Sequence, residues 1–177
     1  MASLGPEVCI QHRDPGASIR TFVDRARWLA EITRARGAQL AINGRLDVAL
    51  LVGGHLHLPV DAPGPQEVRP HLPEDRWISA AVHSSDELRG ARGADLVLVS
   101  PIFAPGSKPD DTRPPLGADG FERLMRLAAP TPCYALGGMS PLRLQALGIA
   151  AGVAVQSAIL RAPDPAEAAH CFLAVLR

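Results

Sequence analysis

His83, in the stretch AAVHSS, is the side chain best suited to move a proton: it follows an apolar run, and an imidazole titrating near neutrality can both give and take one. The plainer reading is a histidine that donates to a neighbouring carbonyl. Two further stretches, ALGGM (135–139) and GVAVQSAI (152–159), each end a run of strand character in small residues ahead of a helical pattern. Free backbone N–H groups in that arrangement can cradle a phosphate, with Gly138, Gln156 and Ser157 as the candidates; otherwise Gly137-Gly138 is only a tight turn. IQHRDP puts Gln11 and Arg13 on one face of a strand end, because strand side chains alternate. Arg13 offers a planar fork for phosphate or carboxylate and Gln11 a hydrogen bond to a ring edge, unless Arg13 simply pairs with Asp14 or Asp47. Asn43, in INGRLD, closes another apolar run and joins them as a weaker candidate. His55 and His57 form an HxH pair that faces one way, as metal ligands do, but only His83 and His12 remain near strand ends and no acidic residue follows the last strand, so no metal site is expected. Lys108, in VLVSPIFAPGSKP, stands out in a chain whose basic residues are otherwise almost wholly arginine. Its loop is stiffened by prolines and hinged at Gly106, which suits a lid as well as a connector.

Something must bring these residues together. Short runs rich in Val, Ile, Leu and Ala recur as EVCIQ, AQLAIN, HLHLPV, WISAAVH, DLVLVS, CYALGG and GVAVQS: seven candidate strands, without the alternation of half-exposed ones. Helical segments with recognisable starts lie between them. Ser84 with Glu87 makes a capping box, Ser140-Pro141 sets a cap before proline, and Asp164-Pro165 with Glu167 does the same. Over 18–36, Phe22, Ala26, Leu29 and Thr33 form one apolar stripe. Polar residues at the ends of nearly every strand favour a barrel, which pools all strand ends at one face, over an open sheet, which pools only those at its switch point. The expectation is a single α/β domain over 1–177, a (β/α)8 TIM-type barrel with seven strands visible. PGPQEVRPHLPED reads as a very short helix or loop and supplies no eighth strand.

The 177 residues carry 18 Lys plus Arg against 18 Asp plus Glu, so no long-range field favours nucleic acid or an anionic membrane, and the ligand should be a small molecule held locally. Cys9, Cys133 and Cys171 show no CxxC spacing and read as buried thiols of a reducing cytoplasm. No leader pattern opens the chain and no apolar run nears the roughly 18 residues of a membrane span, so a soluble, cytoplasmic protein is expected.

Taken in order, IQHRD, AINGRLDVALLVGGHLHLP, SAAVHSSDEL, GADLVLVSPIFAPGSKP, YALGGM and GVAVQSAILRAPDP resemble the thiamine phosphate synthase and thiazole tautomerase family from about residue 8 onward. The resemblance implies a (β/α)8 barrel acting on phosphorylated thiamine precursors. It places Gly138, Gln156 and Ser157 on the thiazole phosphate, and Gln11, Arg13, Asn43 and Lys108 on the pyrimidine and pyrophosphate. It implies magnesium only for synthase chemistry. Several positions depart from the synthase pattern: Gly44 stands for a metal-binding Asp, Asp61 is displaced by one position, Pro15 replaces a Lys, Ala81 a Ser, and Pro105 and Ser107 threonines. Each removes charge or hydrogen bonding from a site for departing pyrophosphate. The expectation is therefore a thiazole tautomerase-like isomerase with His83 as acid–base residue, no cofactor, and a phosphorylated thiazole as substrate. The alternatives are a thiamine phosphate synthase, a transferase, and a catalytically weak paralogue that binds a phosphorylated metabolite. The family's first strand and helix have no counterpart before Val8. Either the start codon lies upstream, or another chain or segment, such as a second copy in a homo-oligomer, covers the open barrel edge, or the protein is a degenerate relative.

Overall fold

Alternate residues of every strand must be buried on one side, and that requirement sets the architecture. The computed structural model describes residues 2–104, 113–148 and 150–177. Seven parallel strands lie in chain order in one sheet: β1 (Cys9–His12), β2 (Gln39–Asn43), β3 (His55–Leu58), β4 (Ile78–Val82), β5 (Leu96–Val99), β6 (Cys133–Leu136) and β7 (Gly152–Ala154). Between and after them run α1 (Ile19–Arg36), α2 (Leu46–Val52), α3 (Pro65–Val68), α4 (Ser85–Gly90), α5 (Gly117–Ala128), α6 (Pro141–Leu147), α7 (Ser157–Leu160) and α8 (Pro165–Leu176). Every expected strand is present. The proline-rich stretch forms α3 and a single 3-10 turn, Arg69–His71.

Register sorts the side chains. Ile42, Leu56 and Ile78 pair across β2, β3 and β4, and Val82, Val99 and Ala135 across β4, β5 and β6; all six are 0% exposed. They face the helices. Phe22 and Ala26 of α1 with Val48 and Ala49 of α2 cover the first row, and Phe121 and Leu124 of α5, Leu144 of α6 and Phe172 of α8 complete the second cluster. The opposite, concave face carries Gln11, Ala41 and His55 in one row and Asn43, His57 and Ser79 in the next. The sheet is thus a curled half-barrel with an apolar outside, under helices, and a polar inside. β1 and β7 each pair on one side only, so the full eight-stranded ring of the expectation is not formed by the described residues.

The helix starts follow the sequence signals. The hydroxyls of Ser18, Ser84 and Ser140 accept from the N–H groups of Thr21, Glu87 and Arg143, and the Asp164 carboxylate accepts from Ala166 and Glu167. In α1 the buried stripe is Phe22, Ala26, Ala30 and Thr33; Leu29 is only half-buried because the helix turns 3.6 residues per turn and Ala30 falls nearer the sheet. Arg177, at the end of α8, forms an exposed ion pair with Glu7, two residues ahead of β1.

The cysteine expectation needs correction. All three are free, but only Cys133 is buried; Cys9 and Cys171 are exposed. Cys9 sits on the concave side of a strand with one neighbour, and Cys171 on the outer surface of α8, positions that apolar neighbours in sequence do not reveal. Among the described residues no helix is long and apolar enough to cross a membrane.

Phe121 is 0% exposed within the second cluster. Phe121→Ala should lower the unfolding free energy by about 3–5 kcal/mol, read as a fall in the urea midpoint at unchanged slope.

Candidate functional site

The C-terminal strand ends and the concave face bring most of the candidates together. His83 follows β4 directly, half-buried. Its Nδ1 lies 2.5 Å from the Ser100 carbonyl oxygen and 3.1 Å from Ser100 Oγ. A carbonyl can only accept, so Nδ1 carries the proton and Nε2 is the ring nitrogen presented as a base. The carbonyl bond that the plainer reading foresaw is therefore present, and it leaves Nε2 as the unprotonated nitrogen of the neutral ring. The His83 backbone N–H donates to the Glu87 carboxylate at 2.7 Å, while the Glu87 N–H donates to Ser84 Oγ. The capping box of α4 is thus displaced by one residue so that it also holds His83.

On the β1–β3 side, Gln11 Nε2 donates to Asn43 Oδ1 at 3.0 Å, joining two of the expected residues. His57 lies in the adjacent strand, its Nδ1 2.9 Å from Ser79 Oγ. Burial, and secondarily the positive charge of Arg13, pull its pKa down to about 4, so His57 is neutral near pH 7. The pairings once open to Arg13 go to others: Asp14 pairs with Arg25, and Asp47 accepts from Arg45 through two bonds of 2.9 and 2.6 Å. His12 points the other way, its Nε2 3.1 Å from the Phe22 carbonyl and its ring tilted 30° against the Phe22 ring, and takes no part.

At the far end, Gly137 and Gly138 have φ of 99° and 60°, which only glycine adopts without strain. A Cβ on Gly138 would stand 2.6 Å from the Ala104 carbonyl, so the turn is pressed against the chain leaving β5. Leu136 pairs with Ala154, which sets Gly138 and Gln156 at neighbouring strand ends, and Ser157 opens α7 with its backbone N–H unpaired within the helix. Lys108 and Gly106 lie outside the described residues.

Arg143, in the first turn of α6, was not singled out by sequence. Its Nη1–H donates to the Gly138 carbonyl at 2.5 Å and its guanidinium lies 4.8 Å from the Phe103 ring centroid. No local motif announces it, because Phe103 belongs to a different strand end. The HxH pair is occupied by neighbours: His55 Nδ1 accepts from the Trp77 N–H at 3.1 Å and stacks on its indole at 4.3 Å. Among the described residues no three His, Cys, Asp or Glu side chains converge on a metal position. Gly44 offers no ligand and Asp61, three residues beyond β3, is exposed, so the donor set among the described residues does not fit a protein-held magnesium ion. A recess of about 510 Å3 lies instead between α4 and α5, on the outer helical layer.

His57 is neutral when folded, whereas the unfolded chain takes up a proton below its ordinary value of 6.5. Stability should therefore be complete above about pH 6.5 and fall as pH drops toward 4, with His57 contributing on the order of 3 kcal/mol of that fall. His57→Asn should flatten the stability profile across this window in urea titrations; His55, also lowered to about 4, keeps the remainder.

The sequence profile of the thiamine monophosphate synthase family matches residues 2–159. A thiamine-phosphate synthase of Moorella thermoacetica is 37% identical over 177 residues, covering 96% of this chain and 82% of that protein. A putative thiamine-phosphate synthase of Geobacter sulfurreducens is 35% identical, covering 99% of this chain and 84% of its own. The bifunctional protein ThiM/ThiE of Symbiobacterium thermophilum is 38% identical over 95% of this chain, which spans only 36% of that longer protein. Among solved structures, the thiamine phosphate pyrophosphorylase of Pyrococcus furiosus superposes with a TM-score of 0.83 at 24% identity, covering 99% of this chain and 85% of that one. A family match across most of the chain, on a fold that sets the motif residues at one end of a parallel sheet, has one meaning: the chain belongs to the thiamine monophosphate synthase family.

Proposed function

We propose that the protein is a thiamine-phosphate synthase, joining a pyrimidine pyrophosphate to a thiazole phosphate with loss of pyrophosphate. This replaces the tautomerase as the leading reading. The observation that carries it is the two-ended site: the Gln11–Asn43 pair and neutral His57 lie at β1–β3, and the glycine turn with Gln156 and Ser157 at β6–β7. β3 and β6 are three strand spacings apart, about 14 Å along the sheet, which is room for two ring systems side by side. A tautomerase has one ring to hold and no use for the second end. The relatives matched over nearly the whole chain are thiamine-phosphate synthases by name, one of them putative, which supports the same choice.

In this reading the Gln11 and Asn43 amides hold the edge of the pyrimidine, and neutral His57 packs beneath it without adding charge. Arg13 meets the pyrophosphate. The turn at Gly138, with the Gln156–Ser157 strand end, receives the thiazole phosphate through backbone N–H groups. His83, between the two, offers Nε2 for proton exchange with the departing pyrophosphate, as its C–O bond breaks and the thiazole nitrogen bonds to the freed carbon. Holding both substrates converts an encounter in solution into a reaction within one complex. Because the donor set among the described residues does not fit a protein-held metal ion, no step here is routed through one.

The test supplies the purified full chain with pyrimidine pyrophosphate, thiazole phosphate and magnesium chloride. Thiamine phosphate and pyrophosphate should form in equal amounts. His83→Ala should lower kcat on the order of a hundredfold with both KM values little changed. Interconversion of thiazole carboxylate phosphate isomers without any thiamine phosphate would sink the synthase reading in favour of the tautomerase.

A further inference from the structure

Arg143 brings to the glycine turn a charge that the rest of the turn lacks. One of its five N–H groups is committed to the Gly138 carbonyl, 2.5 Å away, and its plane is fixed by the Phe103 ring, 4.8 Å from the guanidinium carbon. Both anchors are themselves held. Ile102 and Phe103 donate their backbone N–H groups to the carbonyls of Leu136 and Gly137 at 2.9 and 3.1 Å, so the end of β5 and the glycine turn form one piece. No carboxylate among the described residues pairs with Arg143. The remaining guanidinium donors are thus uncommitted to any carboxylate among the described residues and are held beside the turn. The chain as a whole carries no net charge, so a dianion arriving there is attracted by what is local.

We propose that Arg143 is the specificity-determining cation of this site: it selects the phosphorylated thiazole over the same ring bearing a free hydroxyl. The inference rests on the reading of the turn as the thiazole phosphate end. Backbone amides can hydrogen-bond either a phosphate or an alcohol. A fixed guanidinium distinguishes them, because charge-assisted bonds to phosphate are about twice as strong as neutral ones. Solvent at this exposed side chain keeps the effect moderate.

Isothermal titration of the full chain with thiazole phosphate and with the unphosphorylated thiazole alcohol separates the possibilities. Arg143→Gln removes the charge and keeps a polar side chain; Arg143→Lys keeps the charge and loses the planar fork. Arg143→Gln should weaken thiazole phosphate about tenfold and leave the alcohol, the pyrimidine pyrophosphate KM and the melting temperature unchanged. Arg143→Lys should recover part of the loss. Equal weakening of phosphate and alcohol would show that Arg143 only shapes the turn, and unchanged binding of both would show that it does nothing there; either overturns the inference while leaving the synthase reading intact. If the unaltered protein binds no thiazole phosphate, the reading of the turn and the inference fall together.

Discussion

Burial of every second strand residue against the helical layer is the constraint on which the rest of this structure depends. Rows such as Ile42, Leu56 and Ile78 leave water completely on the convex side, and transfer of such side chains from water is the dominant favourable term in folding. With both apolar clusters outside the sheet, the concave face need not be a packed core. It can hold glutamine, asparagine, histidine and serine in adjacent rows, each satisfied by its lateral neighbour. No buried side-chain polar atom among the described residues lacks a partner.

Those lateral bonds share one design. Gln11 with Asn43, His57 with Ser79, and His83 with Ser100 each join neighbouring strands, so the sheet's own spacing sets the distances. A site built this way has a floor set by the sheet and a rim in which the turns after β5 and β6 are pressed together around Gly138. The same geometry accounts for the charge economy of the site. His57 is held neutral by its surroundings, and among the described residues positive charge at the edges comes from Arg13 and Arg143.

Much of this was legible in the sequence, for reasons of short range. Strand runs, capping residues and the alternation that separates Gln11 from His12 are all decided within a few residues. The family resemblance carried the order of the motifs. What escaped depends on distance along the chain. Ser100 is 17 residues from the histidine it orients, and Phe103 lies 40 residues from Arg143 although their groups stack. The exposure of Cys9 follows from β1 having one neighbour, a fact of topology. The tautomerase expectation rested on the residues missing together from the pyrophosphate site, whereas the grouping of the candidate residues at β1–β3 and at β6–β7, which favours the proposed synthase, appears only once the strands are ordered.

Glu87 has a wider consequence. Its carboxylate holds the His83 backbone while its own N–H completes the cap of α4, a helix of six residues. Short helices open locally at a free energy far below that of global unfolding. Fraying of α4 then loosens the backbone seat of His83, so that, under the proposed function, activity is lost at a temperature below the one at which the protein melts.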